Sequence, residues 1–213
     1  MRPALVVGAS GLVGGALAEV LGPGRCAAAS VRDPGEFPGL IDRTDPWAVL
    51  LAAGIASAEA CEADGAAARA CHVDAAAAAA AACATLDVPL AYFSSDAVFD
   101  GAAGPYAEDA EGAPVSVLGR AKLAGEAAVL KASKRNLVIR SSWVFGPEAA
   151  GTGVAYRVGS ALKAGRAVPV AADQYATPNA PGRQSADVHP MRMLRTSEKK
   201  SSAHTTCTAR LKT

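Results

Sequence analysis

Aromatic side chains make up only 5% of this 213-residue chain, and histidine occurs three times. A core built with so few large side chains must be filled by small aliphatic ones, alanine above all. The histidines, His72, His189 and His204, are scattered, and no C-x-x-C pair occurs, so the ligand spacing of a metal site is missing. The cysteines, Cys26, Cys61, Cys71, Cys83 and Cys207, are odd in number and lack framework spacing. They read as small core residues of a reducing, cytoplasmic protein rather than as disulfide partners. The longest apolar run, residues 75–86, is too short and too alanine-rich to span a bilayer, which excludes a membrane role. A secretory leader is excluded as well: Arg2 precedes an apolar stretch, but five glycines between Gly8 and Gly22 interrupt it.

Charge of one sign is also lacking overall, at +1, but its distribution is uneven. Residues 1–182 carry 14 Lys+Arg against 18 Asp+Glu, whereas 183–213 carry 7 against 2. The basic end is rich in Ser and Thr without apolar periodicity, the composition of a disordered tail. It has no interleaved aromatics and the body is acidic, so nucleic acid is not an expected partner.

What is present is an alternation of short apolar runs with alanine-rich windows, the pattern of an α/β protein with a doubly wound, Rossmann-like parallel sheet. The runs predict strands at 4–7, 27–31, 49–53, 90–93, 137–140 and 168–170. Helices are predicted at 12–21, 66–86, 117–131 and 154–164. Octa-alanine at 75–82 forms helix readily and permits close approach to the sheet. Between Val31 and Val49, Pro34, Pro38 and Pro46 leave no room for a full helix. The crossover there is expected to be an irregular loop, with the sheet face beneath it thinly covered.

Gly8-Ala-Ser-Gly11-Leu-Val-Gly14 lies between the first strand and the first helix. Residues without Cβ allow a tight turn that brings main-chain N–H groups and a helix N-terminus onto a pyrophosphate. An ordinary strand–turn–helix would share the pattern.

Further segments follow in order: Leu40-Ile-Asp42-Arg-Thr-Asp45, Leu51-Ala-Ala-Gly54, Phe93-Ser-Ser-Asp96-Ala-Val-Phe-Asp-Gly101, Pro114-Val-Ser-Val-Leu-Gly119-Arg-Ala-Lys122-Leu-Ala-Gly125-Glu126 and Arg140-Ser-Ser-Trp143-Val-Phe-Gly146. Asp173-Gln174 and Thr177-Pro178 form a weaker sixth. In these the chain resembles the extended short-chain dehydrogenase/reductases of the dTDP-4-dehydrorhamnose reductase type, over residues 1–181. The resemblance implies an NAD(P)-binding domain at 1–181, followed by the basic tail at 182–213 in place of most of the substrate-binding region. A truncated or frame-shifted coding sequence and a genuine alternative ending are both open.

The resemblance also implies roles. Gly8, Ser10, Gly11, Leu12, Val13 and Gly14 would surround the pyrophosphate. Arg32 would meet the adenosine ribose, where a guanidinium suits a 2′-phosphate and places NADP ahead of NAD, with Asp33 adjacent. Asp42 matches an adenine contact or caps a turn. Ala52, Ala53 and Gly54 would let the cofactor lie flat, or pack closely for structural reasons alone.

The family chemistry takes a hydroxyl, a phenol and a lysine: Ser95 and Lys122 stand at the first and last positions, and Leu118 at the phenol's. A leucine donates no proton, so reduction of a 4-keto sugar nucleotide by NADPH is set against a non-catalytic dinucleotide-binding subunit. The related methionine adenosyltransferase β subunit is the precedent for the latter. Tyr106 is the nearest phenol in sequence. His72 reads as a helix-surface or partly packed residue, and pairing of two chains through the long helices, or a regulatory partner, is expected by analogy.

Overall fold

The computed structural model describes residues 1–102, 104–146, 154–167 and 208–211, the last four and 154–155 as backbone. Strands β1 (Ala4–Val7), β2 (Cys26–Ala29), β3 (Ala48–Leu51), β4 (Leu90–Ser95) and β5 (Leu137–Ser141) are parallel, and β6 (Thr208–Leu211) adds an antiparallel edge. Their order is β2-β1-β3-β4-β5-β6. The chain therefore moves outward from β1 to β2, then returns across β1 to β3. That reversal is a topological switch point, and the carboxyl ends of β1 and β3 face the crevice it creates.

Both faces are covered, which is why β1 and β3 are buried along their whole length and read as unbroken apolar runs. Helix α1 (Leu12–Leu21) packs Leu17 against Ala4, Val6, Leu50 and Phe93. On the opposite face lie α2 (Phe37–Thr44), α5 (Ala75–Thr85) and α6 (Val117–Ala132), over Leu5, Val7, Val49, Leu51 and Tyr92. The alanine run does pack as expected: Ala76, Ala79, Ala80 and Ala82 are buried.

The expected loop between β2 and β3 is instead a 3-10 turn, Pro34–Glu36, followed by the two-turn α2. The prolines occupy helix ends. Pro34 and Pro38 stand in first turns, where a missing N–H costs nothing, and Pro46 follows a left-handed Asp45 that stops the helix. Nor is the face thinly covered, since Phe37, Leu40 and Ile41, at helical spacing, are all buried. Phe37 alone stabilises by about 2–3 kcal/mol through burial.

The long helix at 66–86 is in fact α4 (Gly65–Arg69), a π turn (Ala70–Asp74) and α5 in succession. A six-residue α3 (Ala58–Ala63), too short to show a period, precedes it. Helix α7 spans Val154–Lys163. The strand expected at 168–170 and most of the basic tail lie outside the described residues. Among the described residues no helix is long and apolar enough to cross a membrane, and Cys26, Cys61, Cys71 and Cys83 are free thiols.

Candidate dinucleotide crevice and reaction site

The turn after β1 is built where side chains cannot go. Gly8 has φ +92°, and a Cβ there would lie 2.5 Å from the Ala53 nitrogen. A Cβ on Gly14 would stand 2.1 Å from the Gly8 carbonyl oxygen. The Gly11 N–H closes the turn onto that same oxygen at 3.0 Å, and the Ala52 N–H ties the end of β3 to Val7 at 2.9 Å. Helix α1 begins without a side-chain cap and without an acid in its first turn, so its leading amides are left for an anion. A cradle that a Cβ would fill, set on an uncapped helix start at a switch point, fits a pyrophosphate.

Arg32 is exposed beyond the end of β2. The neighbouring Asp33 is committed elsewhere: its carboxylate accepts from Gly35 N–H at 2.9 Å and forms a capping box with Glu36. Asp42 lies exposed on α2, in a groove of about 680 Å³ against α5 that includes Pro38, Ala78 and Leu86. No glycine-turn residue lines that groove, so Asp42 is grouped with α5 rather than with the phosphate cradle.

At the other end of the crevice, Ser95 closes β4. Its hydroxyl donates to the Asp96 carboxylate at 3.0 Å and accepts from the Ala97 N–H at 3.1 Å. Helix α6 starts with Ser116, whose Oγ accepts from Gly119 N–H at 3.0 Å, a standard cap. A Cβ on Gly119 would meet the Ala97 carbonyl at 2.0 Å, so glycine there lets α6 press against the turn after Ser95. Lys122 thereby comes to the end of β4, where its Nζ donates to the Phe93 carbonyl at 2.7 Å and lies 5.0 Å above the Tyr92 ring. Burial pushes the Lys122 amine down to about 8. Leu118, one turn earlier, is buried with Cys61 and Ala68 and flanked by Ile55 and Val117. Tyr106 stacks on Phe99 at 4.2 Å and donates to the Asp100 carboxylate, which it holds below the usual carboxylate range.

Two features escaped the sequence reading. His72 is no surface residue: it is 1% exposed on the π turn. Its Nε2 lies 3.0 Å from the Ile55 carbonyl oxygen, which can only accept, so the proton is on Nε2 and the buried Nδ1 is left without a partner. A Cβ on Gly54 would stand 2.6 Å from the ring, so the imidazole wedges beneath the segment that leaves β3. Burial, and next the Lys122 charge, push it down to about 4.

The second feature is a buried ion pair. Arg140 on β5 and Glu126 on α6 pair at 2.7 Å, each 2% exposed, and Ser94 donates to the same carboxylate at 2.5 Å. Arg140 also stands 5.0 Å from the Phe99 ring. This network joins β4, α6 and β5 at the reaction end. The only signal for it was the presence of Glu126 and Arg140 in the quoted segments.

A switch-point crevice, a glycine cradle at β1, and a serine and lysine converging on the end of β4 define an extended short-chain dehydrogenase/reductase. More narrowly, residues 1–208 match the RmlD substrate binding domain family, and the chain belongs to it. The chain is 34% identical over 148 residues to dTDP-4-dehydrorhamnose reductase of Burkholderia thailandensis, covering 66% of this chain and 50% of that protein. It is 31% identical over 159 residues to methionine adenosyltransferase 2 subunit beta of Xenopus laevis, covering 68% and 48%. The fold is similar to dTDP-4-dehydrorhamnose reductase from Bacillus anthracis in complex with NADP, with a TM-score of 0.82 at 22% identity, covering 92% of this chain and 71% of that one. The chain spans about half the length of the curated relatives it matches.

Proposed function

We propose that residues 1–181 bind a nicotinamide dinucleotide, NADP ahead of NAD, and act on a 4-keto sugar nucleotide at a rate limited by Leu118. Gly8, Ser10, Gly11, Leu12, Val13 and Gly14 hold the pyrophosphate in this reading. Arg32 takes the 2′-phosphate while the Asp33 carboxylate is occupied by its cap. Ala52, Ala53 and Gly54 floor the crevice, Ser95 orients the carbonyl, and Lys122 holds the nicotinamide ribose. The steric exclusion at Gly8 and Gly14 carries the proposal, because it makes a bare-backbone cradle the only arrangement the turn allows. Loss of a positioned acid costs about 10²–10⁴-fold in rate, which sets the scale of the expected deficit.

The burial of Leu118 in an apolar cluster favours a second reading: dinucleotide binding without turnover, in a regulatory subunit paired with its own copy or another protein. Both readings suit a cytoplasmic protein, and neither needs the basic tail at 182–213. Titration with NADPH by nicotinamide fluorescence, followed by addition of dTDP-4-keto-6-deoxyglucose, separates them. Saturable binding with slow oxidation supports the reductase; binding with none supports the subunit. No binding at millimolar cofactor removes both.

A further inference from the structure

With leucine at position 118, no phenol among the described residues stands one turn before Lys122 on α6, and the described hydroxyls near the end of β4 are committed elsewhere. Ser95 donates to Asp96 at 3.0 Å, Tyr92 donates to the His72 carbonyl at 3.3 Å, and Tyr106 donates to Asp100. Lys122 is placed differently. It lies one helical turn after Leu118 on the same face of α6, and its ammonium reaches the Phe93 carbonyl. The β3–β4 pairing stops at Leu51↔Tyr92, so Phe93 is the first β4 residue beyond it, at the opening between the two carboxyl ends. An ammonium carries three N–H donors and Phe93 uses one.

We propose that Lys122 is itself the proton donor of this site, delivering an Nζ–H directly or through one water to the oxygen of a ketone held at the β3/β4 opening. The inference rests on the dinucleotide reading above and extends the role of Lys122 beyond holding the ribose. A reduced nicotinamide, when bound, supplies the hydride that bonds the carbonyl carbon, and the carbonyl π pair moves to oxygen. That oxygen takes the proton from Nζ, giving the alcohol. Lys122 is left as a neutral amine and regains a proton from water.

The surroundings suit the task. Cys61 faces the amine from α3, Cys71 and His72 from the π turn, Tyr92 from β4 and Glu126 from its own helix. The thiols and the carboxylate favour the ammonium, but burial outweighs them and brings the group to about 8. Such an amine is protonated at neutral pH and releases its proton far more readily than an exposed lysine. Because the acid form is the working form, turnover holds below about 8 and falls as pH rises through it.

The test uses the full chain, NADPH and dTDP-4-keto-6-deoxyglucose, with a Lys122→Arg variant and a ¹³Cε NMR titration of the Lys122 side chain. Arginine keeps the cation and a ribose donor but does not release a proton in the working range. The parent is expected to turn over slowly, with its rate breaking at the NMR midpoint near 8. Lys122→Arg is expected to bind NADPH within about threefold of the parent and to lose roughly a hundredfold in turnover. Parental turnover in the arginine variant overturns the proposal, as does a parent rate flat between about pH 7 and 9. So does a parent that binds NADPH and never oxidises it. Absence of NADPH binding overturns the dinucleotide reading along with it, and is thus distinguished from failure of the lysine alone. The parent profile and the NMR midpoint decide the case even if the arginine variant does not fold.

Discussion

The two ends of the crevice have fared differently. At the phosphate end, the demanding positions hold the one residue that fits: Gly8 and Gly14 face backbone at 2.5 and 2.1 Å from where a Cβ would be. At the proposed reaction end, the glycine and lysine are in place while leucine stands where the family resemblance implies a phenol. Gly119 still seats α6 on the turn after Ser95, and Lys122 still reaches the end of β4. Leu118, however, turns its methyl groups into a cluster with Cys61 and Ala68. In the proposed reading the glycine turn serves binding alone, whereas Lys122 serves both the ribose and the proton, so a change at Leu118 alters chemistry without touching the phosphate cradle.

Leu118→Tyr attacks the difference most directly. Restoring the phenol is expected to raise turnover by about 10²–10⁴-fold with NADPH affinity unchanged. A folded variant that binds and gains nothing would show that the reaction end is damaged beyond one residue. Glu126→Gln tests how far that end depends on its buried network. Removing the carboxylate charge that faces the buried Arg140 guanidinium is expected to cost about 3–5 kcal/mol in urea unfolding, and a loss below about 1 kcal/mol would show that the network does not hold this end together.

His72 joins the two ends, and its effect is read as stability against pH. Its folded value is lowered from 6.5 to about 4, so the unfolded chain takes up the proton first as pH falls. The contribution, about 3 kcal/mol at most, is complete above 6.5 and is lost progressively toward 4. His72→Asn should flatten that part of the profile, and an unchanged slope would mean another group is responsible. Gly14→Ala is expected to cost roughly 1–3 kcal/mol through overpacking and to weaken NADPH binding more than tenfold. The smallest effect belongs to Arg32→Ala: about a tenfold loss of affinity for NADPH with NADH unaffected. Equal losses for both cofactors would take Arg32 away from the 2′-phosphate.

The phosphate end was legible because its signals are local. β1 and α1 occur where the apolar run, the glycines and the helical window place them, at Ala4–Val7 and Leu12–Leu21. Strands β2 and β3 lie one or two residues earlier than their apolar runs suggest, since an apolar run marks burial while pairing follows the register with β1. Helix α2 was hidden by prolines whose position in a helix, first turn or interior, decides whether they break it. In octa-alanine every face is alike, so only α2, α6 and the sheet decide which side of α5 is buried. His72 and the Glu126–Arg140 pair were invisible because their partners are 17 and 14 residues away in the chain and belong to other elements.

The location of the dinucleotide is the central claim, and amide chemical-shift mapping during an NADPH titration addresses it most directly. The largest and saturable shifts are expected at the amides of Gly8 to Gly14 and at Ala52 to Gly54. Shifts confined to the α2/α5 groove around Asp42, with the glycine turn unmoved, would contradict it.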